Sequence, residues 1–265
     1  MIVDFHTHAF PEKIAQKAMQ VLSANAGNMI PYHNGTAPSL IEYVKKSGAD
    51  KAVMLSIATS PRQQKNVNDF AIECNGDTLV AFGSVHPEAP DALEELERIK
   101  AAGLKGVKLH PEYQNFFVDD PRMFPIYKKI SELGLITVFH AGVDIEYFEP
   151  VHCPPERLAK VLPVFQGSPV VAAHMGAWML WYDVEKYLVG QDVYFDTAFS
   201  YGRMPREHCK RIIEKHGAER ILFGSDMPWS GTDLEMRFID SLGLSEEDKA
   251  KVLGGNACRL LGLSK

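Results

Sequence analysis

Eight short apolar segments, each followed by a loop and then by helical periodicity, set the tightest limit on what this chain can fold into. The first starts at Ile2 and ends at His6. The others cover 52–57, 79–85, 106–110, 136–140, 170–174, 193–196 and 221–226. They are nearly continuous in Val, Ile, Leu, Ala and Phe, the pattern of strands buried on both faces of a parallel sheet. Amphipathic stretches at 39–46, 89–102, 122–133, 156–165, 178–188 and 206–216 alternate with them, and Gly48, Gly103, Gly134 and Gly217 stand where helices should stop. Eight strand–helix units predict a (β/α)8 barrel, and 265 residues suit one such domain spanning 1–265. A doubly wound open sheet is the alternative. It is weakened because no Gly-x-Gly-x-x-Gly follows the first strand. The segment 19–38 reads as a long loop on the active face. After the eighth strand, Ser245 is expected to cap a helix, Gly254-Gly255 to break it, and Asn256 to cap a last helix at the barrel base.

Composition narrows the function classes. A net charge of −6 without a dense Lys/Arg block argues against nucleic acid and gives no reason to expect an anionic membrane surface. The apolar runs are far short of the roughly 20 residues of a membrane helix. Cys74, Cys153, Cys209 and Cys258 are widely spaced and read as reduced thiols. With no signal-like leader, the expected compartment is the cytoplasm and the expected partner a small-molecule substrate. Base rates make a homodimer unsurprising.

Strand ends carry the chemistry. His6 and His8 are two residues apart on an extended strand, so they share a face, with Asp4 on that face too. Alone, His-x-His is more readily explained as a polar strand end. However, His110, His140, His174, Asp196 and Asp226 stand at the ends of strands four to eight. In a barrel those ends converge on the active site. His6, His8, His140 and Asp226 would supply three or four ligands of His/Asp type to one divalent ion, zinc first and manganese as the alternative. Asp226 can also take a proton from attacking water, and His174 is placed as base or as hydrogen-bond donor to a substrate oxygen. His110 is assigned to substrate binding. Lys108 shares its strand face and is expected to form a buried ion pair, with a metal-bridging carbamate as the lesser reading. Asp196 is expected to orient a ligand. His33, His152, His208 and His216 are expected at the surface.

Five stretches carry a family resemblance. They are Asp4-Phe5-His6-Thr7-His8, Gly106-Val107-Lys108-Leu109-His110-Pro111, Ala173-His174-Met175-Gly176, Phe223-Gly224-Ser225-Asp226-Met227-Pro228 and the tail from Gly254 to Leu261. On these the chain resembles the amidohydrolase superfamily, in the branch that includes aminocarboxymuconate-semialdehyde and resorcylate-type decarboxylases. The resemblance implies a distorted (β/α)8 barrel with one metal, usually zinc. His6, His8, His140 and Asp226 match the family's ligands and His174 its catalytic histidine. TatD-like nucleases usually carry Glu where this chain has Lys108, and PHP-type phosphoesterases follow their first motif with further His/Asp, where Ala9-Phe10-Pro11 stands here. The leading expectation is a hydrolase of a small amide, ester or lactone. The alternative is non-oxidative decarboxylation of a small carboxylic acid, aromatic acids included, with Arg203 in the loop after strand seven as the cation for the carboxylate and Trp178, Trp181 and Trp229 as candidate pocket walls. A degenerate binding barrel would have lost a ligand, whereas all five matched positions are intact.

Overall fold

The computed structural model describes residues 1–263. Eight strands occur in chain order: β1 Val3–Thr7, β2 Lys51–Leu55, β3 Leu79–Phe82, β4 Gly106–Leu109, β5 Ile136–Phe139, β6 Val170–Ala172, β7 Tyr194–Asp196 and β8 Ile221–Leu222. The described residues form two compact units, one of Met1–Met54, Gly76–Val80 and the chain from Phe195 onward, the other of Leu55–Asn75 and Ala81–Tyr194.

In the first unit β1 pairs in parallel with β2, and β7 with β8. Main-chain hydrogen bonds tie β1 to the chain leaving β8: Phe5 N–H donates to Phe223 O, Asp226 N–H to His6 O and His8 N–H to Met227 O. The register between β1 and β2 slips between Asp4 and Thr7. Val3, Phe5, Val53, Phe195 and Phe223 are buried in this unit's core.

In the second unit β4, β5 and β6 form consecutive parallel pairs, and Gly83, just past β3, bridges to Val107. Tyr127 and Phe165 pack on Phe139 of β5 with ring centroids 5.7 and 6.0 Å away, and the Tyr127 hydroxyl donates to Val118 O at 2.8 Å. Such a buried phenol needs that acceptor, because an unpaired hydroxyl would lose its hydration without compensation.

The structure revises several sequence expectations. The strands are shorter at their ends than the apolar runs suggest, so His110, His140 and His174 stand just past β4, β5 and β6, and Asp226 well past β8. At two of these places the backbone beyond the strand is left-handed, with φ 62° at His174 and 71° at Asp226. The stretch from Met19 is no loop at first, since a helix covers Glu12–Asn25 and buries Ala15 and Met19. Ser245 does cap its helix, accepting from Asp248 N–H. Gly254-Gly255 does not break the chain of turns, however. Lys251–Gly255 is a π-helix that runs into Asn256–Leu261. The glycine there answers a packing need, because a Cβ on Gly254 would lie 2.1 Å from Met1 O. Asn256 is no cap either. Its side-chain amide donates to Ala218 O and Ile221 O. Finally, His33, His208 and His216 are buried rather than on the surface, His216 stacked on Phe195 at 4.0 Å.

Gly106, at the start of β4, has no room for a side chain. A Cβ there would meet Ile136 O and the Phe82 ring, each at 2.4 Å. Gly106→Ala should therefore destabilise the protein by about 1–3 kcal/mol, the usual range for overpacking a core. Urea denaturation of the two proteins measures this.

Candidate metal centre and active site

In the first unit His6, His8 and Asp226 bring three donor atoms together. His6 Nε2 lies 3.4 Å and His8 Nε2 3.3 Å from the same atom, Asp226 Oδ1. These separations are too long for charge-assisted hydrogen bonds, which run at about 2.7–2.9 Å. They do match a shared ion: two donors each about 2.1 Å from one metal at a tetrahedral angle lie about 3.4 Å apart. The two imidazole planes cross at 70° with centroids 5.1 Å apart, so their in-plane lone pairs can converge. The second nitrogen of His6 is committed. Nδ1 lies 2.8 Å from Asp196 Oδ2, and that carboxylate accepts its N–H. This fixes the tautomer in which Nε2 offers its lone pair toward Asp226. Asp196 thus occupies the orienting position expected of it.

Asp4 holds the frame from below. Its buried carboxylate accepts from Ser225 N–H and Oγ–H, Thr232 Oγ1–H and His6 N–H. Burial pushes its pKa up to about 6 against the pull of those hydrogen bonds.

Arg203 belongs to the same unit. Its guanidinium lies 3.5 Å above the Phe199 ring, and Nη1 donates to Tyr201 O at 3.1 Å. Burial lowers its pKa, while the charges of Glu235 and Asp226 oppose that shift. Glu235 is buried beneath this loop, accepting from Ser230 Oγ–H and Tyr201 N–H.

In the second unit His110, His140, Asp144 and His174 form another group. His110 Nε2 and His140 Nε2 each lie 3.6 Å from Asp144 Oδ2. The donor distances alone resemble a metal site, but the ring geometry does not. The two imidazoles are stacked, 10° from parallel at 4.2 Å, and Tyr113 continues the stack at 4.0 Å from His110. Lone pairs lie in the ring planes, so parallel rings cannot both aim at one ion about 2.1 Å away. The pair is better described as two imidazoles flanking one carboxylate. His174 Nε2 meets His140 Nδ1 at 3.2 Å, and Trp181 Nε1–H donates to His174 O.

Lys108 is fully buried here, and its charge lowers the pKa of Glu112 and of Cys153 against the larger effect of their burial. Burial drives Glu112 up to about 7, and the nearby Asp144 adds to the rise. Of the expected ligands, then, the structure brings His6, His8 and Asp226 together in one unit and places His140 with His110 and His174 in the other. Asp144, Glu112 and Glu235 escaped sequence reasoning. Asp144 lies four residues after His140, a weak signal, whereas Glu235 looks like any solvated helix charge.

Similarity to known proteins gives this geometry its class. A solved protein from Bordetella bronchiseptica described as an uncharacterised TIM-barrel protein matches with a TM-score of 0.77 at 19% identity, over 99% of this chain and 98% of its own. A dihydroxybenzoic acid decarboxylase from Polaromonas, solved with bound manganese and the inhibitor 2-nitroresorcinol, matches with a TM-score of 0.73 at 16% identity, over 100% and 97%. At these identities the likeness shows the fold, which is a (β/α)8 barrel. By sequence, a 2-amino-3-carboxymuconate-6-semialdehyde decarboxylase from Dictyostelium discoideum is 26% identical over 71% of this chain, a match that spans 62% of that relative's length. The amidohydrolase family profile matches residues 3–263. The chain belongs to the amidohydrolase family.

Glu235 provides a pH test of the arrangement. Burial raises its pKa from the ordinary 4.5 to about 8. A carboxyl that holds its proton more tightly when folded stabilises the protein fully below its unfolded pKa, and that stabilisation disappears as pH rises to the folded one. Stability should therefore decline between about pH 4.5 and 8. Glu235→Gln should flatten that decline, read as melting temperature against pH.

Proposed function

We propose that this protein is a metal-dependent decarboxylase that removes CO2 without oxidation from a small, aromatic carboxylic acid. What carries the choice of decarboxylation over hydrolysis is that decarboxylases match this chain both by sequence and by fold. The donor set supports the metal. His6, His8 and Asp226 offer two imidazole nitrogens and a carboxylate oxygen at spacings suited to one ion, and His140 is assigned as a further ligand on the family resemblance. When bound, a zinc or manganese ion supplies a fixed positive charge that polarises a substrate oxygen and stabilises negative charge as it develops.

The chain's own residues do the rest. Arg203, braced against Phe199, grips the substrate carboxylate with its planar fork. His174, as imidazolium, passes a ring proton to the carbon that bears the carboxylate. The new C–H bond makes that carbon tetrahedral. The bond to the carboxylate then breaks, CO2 leaves, and the electron pair returns to the ring. His110 donates from Nε2 to a substrate oxygen: its Nδ1 faces the Tyr113 N–H and so carries no proton.

The family description keeps hydrolysis as a second reading. In it, Asp226 takes a proton from the attacking water and His174 holds the carbonyl oxygen of an amide, ester or lactone.

Two measurements test the proposal. Elemental analysis of the purified protein should find about one zinc or manganese per chain, lost in Asp226→Asn; asparagine tolerates the left-handed backbone at that position, so the fold should survive. Two ions per chain would revive a Lys108 carbamate. The loaded protein should release CO2 from a dihydroxybenzoate, and His174→Asn should lower kcat by at least about 100-fold while retaining metal. Turnover of a lactone or amide panel with no CO2 release from any acid would overturn decarboxylation in favour of hydrolysis.

A further inference from the structure

Asp226 is held in an unfavourable place. Its φ of 71° puts a residue other than glycine in the left-handed region, which costs on the order of 1–3 kcal/mol and persists only when the surroundings over-determine it. The surroundings here converge on one residue. Asp4 Oδ1 accepts from Ser225 N–H at 2.9 Å, and Asp4 Oδ2 accepts from Ser225 Oγ–H at 2.6 Å. The same Ser225 Oγ accepts from Met227 N–H at 3.1 Å. Both sequence neighbours of Asp226 are therefore tied to the Asp4 carboxylate, one directly and one through a single hydroxyl.

Two further contacts extend the clamp. Thr232 Oγ1–H donates to Asp4 Oδ2 at 2.7 Å, bringing in the start of the helix Thr232–Asp240. His6 N–H reaches Asp4 Oδ1 at 3.3 Å, so the same carboxylate touches the strand that carries His6 and His8. Asp4 is fully buried. A carboxylate in such a place is tolerated only when its lone pairs are filled by donors, and four donors do so here. An amide or an aliphatic side chain could not accept all of them.

We propose that Asp4 is a positioning residue whose carboxylate clamps the left-handed turn at Ser225–Met227, so that Asp226 Oδ1 stands within 3.4 Å of both His6 Nε2 and His8 Nε2. The inference rests on reading that trio as a metal centre. Asp4 itself touches neither ion nor substrate. It determines whether the third donor arrives where the two imidazoles aim.

The test uses zinc and cobalt(II) as probes on the full chain with Asp4→Asn, Ser225→Ala and Thr232→Val. Melting temperature and circular dichroism of the metal-free proteins establish folding. Zinc affinity by competition with a chromophoric chelator, together with the visible spectrum of the cobalt-loaded protein, reports the donor geometry. Asp4→Asn should bind zinc about 10–100-fold more weakly, the usual range for losing a partner that orients a ligand. Ser225→Ala should lose affinity as well, and Thr232→Val less. All three should shift the cobalt spectrum. If Ser225→Ala and Thr232→Val fold and keep both the wild-type affinity and the wild-type spectrum, the inference is overturned, whatever becomes of Asp4→Asn. A fall in melting temperature alone, with affinity and spectrum unchanged, makes Asp4 merely structural and overturns it too. Wild-type protein that binds neither ion overturns the metal reading itself, and the inference with it.

Discussion

A carboxylate removed from water must be surrounded by donors or lose its charge, and the first unit of this protein is arranged around one that keeps its donors. Asp4 collects hydrogen bonds from β1, from the turn after β8 and from the start of the following helix. Main-chain bonds between Phe5 and Phe223, His6 and Asp226, and His8 and Met227 run alongside. The parallel ladder sets the direction of the strands. The buried charge then adds an orientation that hydrophobic packing cannot, because packing is nondirectional and a filled set of lone pairs is not. His6 gains the same kind of constraint from Asp196. Two buried carboxylates thus act on the trio of donors without belonging to it.

The two imidazole groups illustrate how orientation decides chemistry. His6 and His8 cross at 70° and converge on one oxygen of Asp226. His110 and His140 lie face to face and share one oxygen of Asp144. Residue types and donor distances are nearly the same in both, yet only the first arrangement lets in-plane lone pairs meet. A stacked pair instead presents edge N–H groups, which suits hydrogen bonding to a carboxylate or to a substrate oxygen.

Much of the fold was legible from periodicity. All eight apolar runs became strands, and the helix expected at 206–216 is Arg206–His216. The strand ends were not legible, because the apolar runs continue past the last paired residue: β6 ends at Ala172 and β8 at Leu222, whereas the runs reach His174 and Asp226. The helix Glu12–Asn25 was partly missed, since its second half is rich in Ser, Asn and Ala and buries only Met19 of that stretch. Among the site residues, His-x-His and the histidines at strand ends stood out by type. Glu235 and Asp144 did not, because burial is what makes an ordinary acid unusual, and burial of a single polar residue leaves no mark in a linear pattern. The same holds for His33, buried so deeply that its pKa falls to about 4.

By itself, the sequence determined that strands alternate with helices, that the strands are buried on both faces, and that His and Asp residues sit where those strands run out. Hydrophobic periodicity and residue chemistry are local properties, and local properties can be read along a chain. Only the tertiary structure decided which imidazoles converge and which stack, that Asp196 sets the tautomer of His6, and that Asp4 reaches across to a turn more than two hundred positions away. Those outcomes depend on angles and separations between distant segments. They are set by the register of parallel strands and by backbone positions where the chain turns left-handed, as at Asp226.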